Sequence, residues 1–227
     1  MSAEAVIAEM KSKADPKAVA GMARFGISSK NTLGLSIPTI REMAKKIGTN
    51  HQVAQGLWQS GIHEARILAA FVDDPSLVTE AQMEKWVSEF DSWDVCDQVC
   101  SGLLDRTPFA RAKALEWSKR EEEFVKRAGY VLMAALAVHD KKAPDSEFLR
   151  FFGQIEKGST DRRNFVKKAV NWALRQIGKR NLKLNRAALE LAQKISKKDS
   201  PSARWIAADA IRELKSEAVQ KKLRRSS

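Results

Sequence analysis

The chain has 227 residues, 44% of them hydrophobic, and it carries 40 Lys and Arg against 28 Asp and Glu, a formal net charge of +12. No stretch approaches the roughly 18 consecutive apolar residues that span a bilayer, which excludes a membrane-spanning helix. The acidic start MSAEAVIAEM lacks the basic and apolar regions of a secretory signal peptide.

The charge excess is confined to the second half of the chain. Residues 1–120 hold 15 basic and 15 acidic residues, whereas residues 121–227 hold 25 basic and 13 acidic residues. A segregated excess produces a field over one face of a protein, and a polyanion such as nucleic acid is the natural partner for that field. The alternative is an ordinary solvated surface.

Apolar residues recur with the helical period nearly from end to end, and no segment alternates as a strand does. We expect about a dozen helices joined by loops of about two to six residues, with one longer loop at 26–37. The start and stop signals, in chain order, are Asp15-Pro16, Pro38 with Gly48, Asp74-Pro75, Asp91-Ser92, Thr107-Pro108, Asp145, Asp161, Asn185 and Ser200.

The longer helices are expected to start near Ser92, Glu121, Asp161 and Ser200, a spacing of about 30–40 residues. That spacing is typical of helical-pair repeats of the HEAT type. The predicted fold is therefore all-α, a curved solenoid of HEAT-like repeats that forms a single domain over residues 1–227. An irregular α-helical bundle is the alternative.

The cysteine and histidine content argues against a disulfide and against a metal site. Cys96 and Cys100 stand at i and i+4 on one helix, too far apart for a disulfide, so we expect reduced, packed thiols in an intracellular protein. His51, His63 and His139 have no metal-ligand spacing and are expected at the surface or at an interface. No metal and no cofactor is predicted.

The segment SWDVCDQ at 92–98 carries the first candidate site. Trp93 and Asp97 share one helix face because they are four residues apart. Asp94 and Asp97 fall in the first turn, where the helix dipole favours carboxylates. Helix-start electrostatics for the acids, and core packing for Trp93, are the alternatives.

The second candidate lies in the segment 157–186, which contains ten Lys and Arg and one acid. Trp172 lies at the edge of the predicted apolar stripe of this helix, beside cationic residues. An indole between core and cations suits contact with a sugar or base next to phosphates, unless it only seals the core. The stripe comprises Val166, Val170, Ala173, Leu174 and Ile177, and the cations are Lys168, Arg175 and Lys179.

Arg127 is the third candidate, because it stands beside the apolar stripe of its own helix. A guanidinium in that position snorkels to water, pairs with an acid or meets an anion.

Four segments in this order resemble the HEAT-like repeat DNA alkylation repair family, the AlkD-like alkylpurine DNA glycosylases. They are MARFGI at 22–27 with LGLSIPTIR after it, SWDVCD at 92–97, FVKRAG at 124–129 and FVKKAVNWALR at 165–175.

The resemblance implies a C-shaped α-solenoid that holds duplex DNA in a basic concave cleft and hydrolyses the N-glycosidic bond of N3- or N7-alkylated purines. It implies that Asp97 is the catalytic carboxylate, that Trp93 and Trp172 contact the deoxyribose of the lesion, and that Arg127 holds the DNA backbone. The DNA-binding residues expected on this basis are Phe25, Arg127, Arg163, Lys167, Lys168, Arg175, Lys179 and Arg180.

The chain departs from the family pattern at two positions. Ser92-Trp93 stands where tandem tryptophans are frequent in family enzymes, and Phe25 stands where a tyrosine is common. Both departures affect the expected contacts with the lesion more than the expected fold.

The family also contains members without glycosylase activity. Two alternatives to a glycosylase therefore stay open: a non-catalytic binder of damaged or branched DNA, and a HEAT scaffold for an acidic protein. The expected partner is double-stranded DNA with an alkylated purine, bound by a monomer in a bacterial-type cytoplasm and nucleoid, away from membranes.

Overall fold

The computed structural model describes residues 2–225, and within them every regular element is helical. The predicted all-α class is confirmed. The chain forms two compact units, divided between Pro108 and Phe109.

The first unit contains seven α-helices and two 3-10 turns at Ala23–Phe25 and Leu104–Arg106. Residues 26–36 contain no helix, so the predicted long loop is confirmed. The α-helices are α1 (Ala3–Ser12), α2 (Pro16–Met22), α3 (Ile37–Ile47), α4 (His51–Gln59), α5 (His63–Val72), α6 (Glu80–Ser88) and α7 (Trp93–Gly102).

Helix α5 is the centre of this unit and packs against α3, α4 and α7. Its sequence HEARILAAFV is apolar around most of its circumference, which suits a helix covered on several sides. Beside it, the rings of Trp58 on α4 and Trp86 on α6 stack with centroids 4.0 Å apart. The Trp58 indole N–H donates to the Glu89 carboxylate at 2.8 Å, so its polar atom is satisfied.

The long loop is attached to the start of α5 by one buried carboxylate. Glu64 accepts the backbone N–H groups of Leu33, Gly34 and Leu35 at 2.8, 2.6 and 3.2 Å. Gly34 has φ +82°, and an added Cβ would lie 2.3 Å from the Asp15 carbonyl oxygen. Only glycine fits there, and the loop is held where three N–H groups converge on one acceptor.

The second unit contains the remaining eight α-helices. They are α8 (Ala110–Trp117), α9 (Glu123–His139), α10 (Asp145–Leu149), α11 (Phe152–Gly158), α12 (Asn164–Gly178), α13 (Leu182–Ser196), α14 (Pro201–Leu214) and α15 (Glu217–Arg225).

Helices α9, α12 and α14 lie side by side in one row, each paired with a helix of a second layer, namely α8, α11 and α13. Contacts between neighbouring repeats recur at a constant separation. The Arg127 side chain reaches the Phe165 carbonyl, and Asn171 reaches Asp209, both 38 residues apart. In the first unit the corresponding contact, from His63 to Asp94, spans 31 residues. The HEAT-type repeat predicted from the spacing is confirmed.

Most of the predicted start signals are confirmed. The side chains of Asp15 and Ser200 cap α2 and α14 by accepting backbone N–H groups. Ser92 precedes α7 as its N-cap residue, and Gly48 ends α3.

The predicted caps at Asp145, Asp161 and Asn185 are wrong. Asp145 is the first residue of α10, and the N-cap residue is Pro144. Asn181 caps α13, and Asn185 lies one turn inside that helix, buried, where its amide donates to the carbonyls of Gly178 and Leu214. Helix α12 begins at Asn164 after Arg163, and Asp161 instead accepts the N–H and guanidinium of Arg163.

Candidate nucleic-acid site

The start of α7 is fixed to the start of α5 by a buried acid–base pair. His63 is 7% exposed, and its Nε2 lies 2.8 Å from Oδ2 of Asp94. Burial alone would lower the pKa of His63, but the hydrogen bond and charge of Asp94 outweigh it and raise that pKa above its ordinary value. Burial likewise opposes ionisation of Asp94, whose pKa is nevertheless lowered by His63. The expectation of a surface or interface histidine is wrong for His63.

Trp93 begins α7 and is half-buried. Its indole N–H donates to the backbone carbonyl of Phe25 at 3.0 Å, across 68 residues of sequence. Phe25 ends a 3-10 turn that Gly26 closes at φ 76°, and its side chain is 68% exposed. The structure therefore brings Phe25 and Trp93 together and fixes the orientation of the indole.

Asp97 lies one turn after Trp93 on α7 and is half-buried. Cys96 and Cys100 are fully buried on the core side of the same helix and form no disulfide, as predicted. Asp94, the other acid of this segment, pairs with His63. Trp93 and Asp97 are both half-buried, so the face that they share borders the buried face of α7.

In the second unit, α12 has the amphipathic pattern expected from the sequence. Trp172 is half-buried at the edge of the stripe, and Lys168 is exposed. The stripe is buried as predicted: Val166, Val170, Ala173, Leu174 and Ile177.

Arg175 and Lys179 form ion pairs with acids of α14. Lys179 Nζ lies 2.6 Å from Glu213, and Arg175 contacts Glu213 as well as Asp209 at 3.4 Å. Although burial opposes ionisation of Glu213, these two cations lower its pKa. The positive charge on this part of α12 is therefore partly balanced within the protein, a feature that the basic segment alone did not reveal.

Two other predicted DNA contacts, Arg163 and Arg180, hold helix ends together. Arg163 pairs with Asp161 and donates to the Glu121 carbonyl at 2.5 Å. Arg180 lies with its guanidinium 3.9 Å from the ring centroid of Phe148. It also donates at 2.7 Å to the carbonyl of Ala137 in the last turn of α9.

Arg127 is 5% exposed and donates to the Phe165 carbonyl at 2.5 Å. Lys167 places its ammonium 4.8 Å from the ring centroid of Trp205 on α14. Trp205 is 41% exposed and is not among the residues predicted from the sequence. No local sequence signal identifies Trp205, since the register that brings it to Lys167 is set by the packing of α12 on α14.

The arrangement offers no visible metal chemistry in the part of the chain that is described. Between residues 2 and 225 no cluster of three or more His, Cys, Asp or Glu side chains could hold a metal ion. Over the same residues, none of the helices combines the length and hydrophobicity needed to cross a bilayer. What the two units do present is an indole with a carboxylate on α7, and an indole with lysines on α12.

A family model described as DNA alkylation repair enzyme matches residues 6–214. No curated protein matches the chain.

Among solved structures, one is described as a new family of proteins related to the HEAT-like repeat DNA glycosylases with affinity for branched DNA structures. It matches with a TM-score of 0.78 and 20% identity, over 100% of this chain and 95% of that chain. A designed armadillo repeat protein in complex with the peptide (KR)4 gives a TM-score of 0.36 and 13% identity, over 82% and 88% of the two chains. The first likeness shows the HEAT-like fold.

Proposed function

We propose, from the premise that the chain belongs to the DNA alkylation repair enzyme family, that it is a monofunctional DNA glycosylase acting on N3- and N7-alkylpurines in duplex DNA. It acts as a monomer on nucleoid DNA in the cytoplasm, without a cofactor. The single observation that carries the proposal is the face of α7, where Trp93, oriented by the Phe25 carbonyl, stands one turn from Asp97.

The chemistry needs few groups. A purine alkylated at N3 or N7 is cationic, so when the C1′–N bond breaks the electron pair neutralises the base and no general acid is required. Positive charge develops on the sugar, as in other glycosyl transfers. Water then forms the new C1′–O bond and releases a proton, which leaves an abasic site.

Asp97 supplies the carboxylate that this transition state needs. A fixed negative charge beside the sugar stabilises the developing cation and orients the attacking water. The ring of Trp93, placed against the same sugar, adds a cation–π attraction of about 0.5–2 kcal/mol. Because the hydrogen bond to Phe25 fixes the indole before DNA binds, little side-chain entropy is lost on binding.

In the second unit, Trp172 is proposed as the other sugar contact, with Lys167 and Lys168 beside it as phosphate contacts. Arg127 is proposed to hold the backbone near the lesion. Its guanidinium donates to the Phe165 carbonyl, which holds the side chain at the start of α12.

The test is excision from a duplex that contains one N7-methylguanine, followed by alkali and measurement of strand cleavage. We expect cleavage by the wild-type protein and none by Asp97→Asn, with DNA affinity unchanged. Asp91→Asn is the matched control, because Asp91 is an exposed carboxylate just before α7. Equal excision by Asp97→Asn and wild type would reject Asp97 as the catalytic group.

A second candidate is a non-catalytic binder of branched DNA. It is favoured by the described affinity of the structural relative for such DNA and by the internal pairing of several cations of α12. Wild-type protein that binds the lesion duplex tightly, cleaves nothing and prefers a branched DNA would select this candidate.

A further inference from the structure

Trp205 is the most exposed tryptophan of the chain. Three of the others, Trp58, Trp86 and Trp117, lie in the core, whereas Trp205 leaves 41% of its surface in solvent in the first turn and a half of α14. Isolated exposed apolar residues are ordinary, so exposure alone does not indicate a site. What distinguishes Trp205 is its surroundings.

Lys167 contacts this indole, and two exposed cations adjoin the two residues in sequence. The ammonium of Lys167 lies 4.8 Å from the ring centroid, and Lys168 follows on the exposed side of α12. Arg204, next to Trp205, is exposed and pairs with Asp199, itself fully exposed, at 3.3 Å. An exposed pair of this kind is weak and competes poorly with a phosphate.

An exposed aromatic ring flanked by cations is the arrangement with which proteins bind unpaired nucleotides. The ring stacks on a base of any identity, and the cations contact the backbone phosphates on either side. A paired base inside a duplex offers no such face, because its neighbours already cover it.

Trp205 and Trp172 lie on neighbouring helices of the same row. The contacts of Asn171 with Asp209 and of Lys167 with Trp205 set α12 and α14 parallel with an offset of 38 residues. Trp172 lies five residues further along α12 than Lys167 and on another side of that helix.

We propose that Trp205 is a stacking site for an unpaired base of DNA, with Lys167 and Lys168 on the adjoining phosphates. The proposal rests on DNA binding by the α12 face as described above. It gives the chain a preference for DNA in which a single-stranded arm leaves the duplex, whether or not the protein also excises a base.

The test compares two DNAs that share one duplex, one fully paired and one with a single-stranded arm. We expect Trp205→Ala to weaken binding of the armed DNA by about tenfold, the effect of losing one base–aromatic stack, and to change duplex binding by less than about twofold. Trp205→Phe retains a stacking ring and should recover most of the loss. Leu77→Ala is the control, because Leu77 is an exposed apolar residue of the first unit at 54% exposure.

A fluorescent 2-aminopurine, moved along the arm one nucleotide at a time, locates the stack. We expect its fluorescence to be quenched on binding at one position, and this quenching to disappear in Trp205→Ala. Equal affinity of Trp205→Ala and wild type for the armed DNA, or an equal loss on both DNAs, would overturn the proposal. Wild-type protein that binds neither DNA would instead overturn DNA binding itself.

Discussion

Asp94 and Asp97 stand less than one helical turn apart on α7, yet they have different neighbours. Asp94 is held by His63 at 2.8 Å and connects α7 to α5. Asp97 lies on the face that Trp93 shares and is the proposed catalytic group. The sequence shows two first-turn carboxylates, and only the three-dimensional position of His63, 31 residues before Asp94, separates them.

The His63–Asp94 pair predicts a specific dependence of stability on pH. The pKa of His63 is raised, so its contribution is complete below about pH 6.5, its unfolded pKa, and is lost as pH rises through the higher folded pKa. The pKa of Asp94 is lowered, so its contribution is present above about pH 3.9 and is lost as pH falls through the lower folded pKa. The pair therefore stabilises most between these limits.

We expect Asp94→Asn to reduce the free energy of unfolding by about 1–3 kcal/mol at about pH 5.5, and by less at about pH 8.5, because the contribution of the His63 charge falls as pH rises through its raised pKa. Urea unfolding at the two pH values measures both differences. A difference that is the same at both, or larger at the higher pH, would contradict a charged pair.

At the scale of the element, the loop 26–36 and the helix α12 show how much of the site depends on long-range contacts. Phe25 lies directly before the loop, and its carbonyl accepts the Trp93 indole N–H. The loop is held by Glu64 on α5. Helix α12 is basic in sequence, but part of its charge is paired with acids of α14.

For the loop, Glu64→Gln should reduce the free energy of unfolding by about 1–3 kcal/mol, because a neutral amide offers one acceptor oxygen where a carboxylate serves three N–H groups. It should also speed proteolysis between residues 26 and 36. Glu42→Gln, at an exposed position of α3, is the matched control. Proteolysis at the same rate in Glu64→Gln and wild type would show that the loop is held by other contacts.

For α12, Glu213→Gln should strengthen DNA binding and steepen its salt dependence, because Arg175 and Lys179 lose their shared partner. The same change should lower stability at neutral pH by about 1 kcal/mol or less, the usual contribution of a solvent-screened ion pair, because the ionised form of Glu213 pairs with both cations. Fluorescence anisotropy at several salt concentrations and thermal unfolding measure the two effects. Weaker DNA binding in this variant would place the DNA contact away from Arg175 and Lys179.

The sequence predicts the elements better than it predicts the partners of their side chains. Helical period, caps such as Asp15 and Ser200 and the 30–40-residue spacing are local signals, and the structure agrees with them. The prediction for Asn185 is wrong because an Asn that caps a helix and an Asn that binds carbonyls of neighbouring helices have the same local sequence signal. The pairing of Arg175 with Glu213 depends on the register of two helices 38 residues apart, which periodicity alone does not fix.

At the scale of the whole molecule, charge is the property that distinguishes the halves of the sequence. Residues 1–120 are balanced at 15 basic and 15 acidic residues, and residues 121–227 carry the entire net charge of +12. Non-specific affinity for a polyanion is expected to depend on cations of the second half.

Replacing Lys167 and Lys168 by alanine should therefore flatten the slope of log K against log salt by about 1.8, or about 0.9 for each phosphate that the protein no longer neutralises. The same double change at Lys45 and Lys46, exposed residues at the end of α3, removes equal charge from the first half and should leave the slope nearly unchanged. Equal effects of the two pairs would show that affinity follows net charge and not its location.

The constant 38-residue offset between contacts of the second unit also has a consequence for how that unit loses structure. Each helix of the row depends mainly on its immediate neighbours, so coupling decays along the row instead of reaching all parts of a shared core. Among residues 2–225, α12 has a neighbour in the row on each side, α9 and α14, whereas the neighbour of α14 in the row is α12. Amide hydrogens of α14 should therefore exchange with solvent sooner than those of α12, through local opening that leaves the rest of the unit folded.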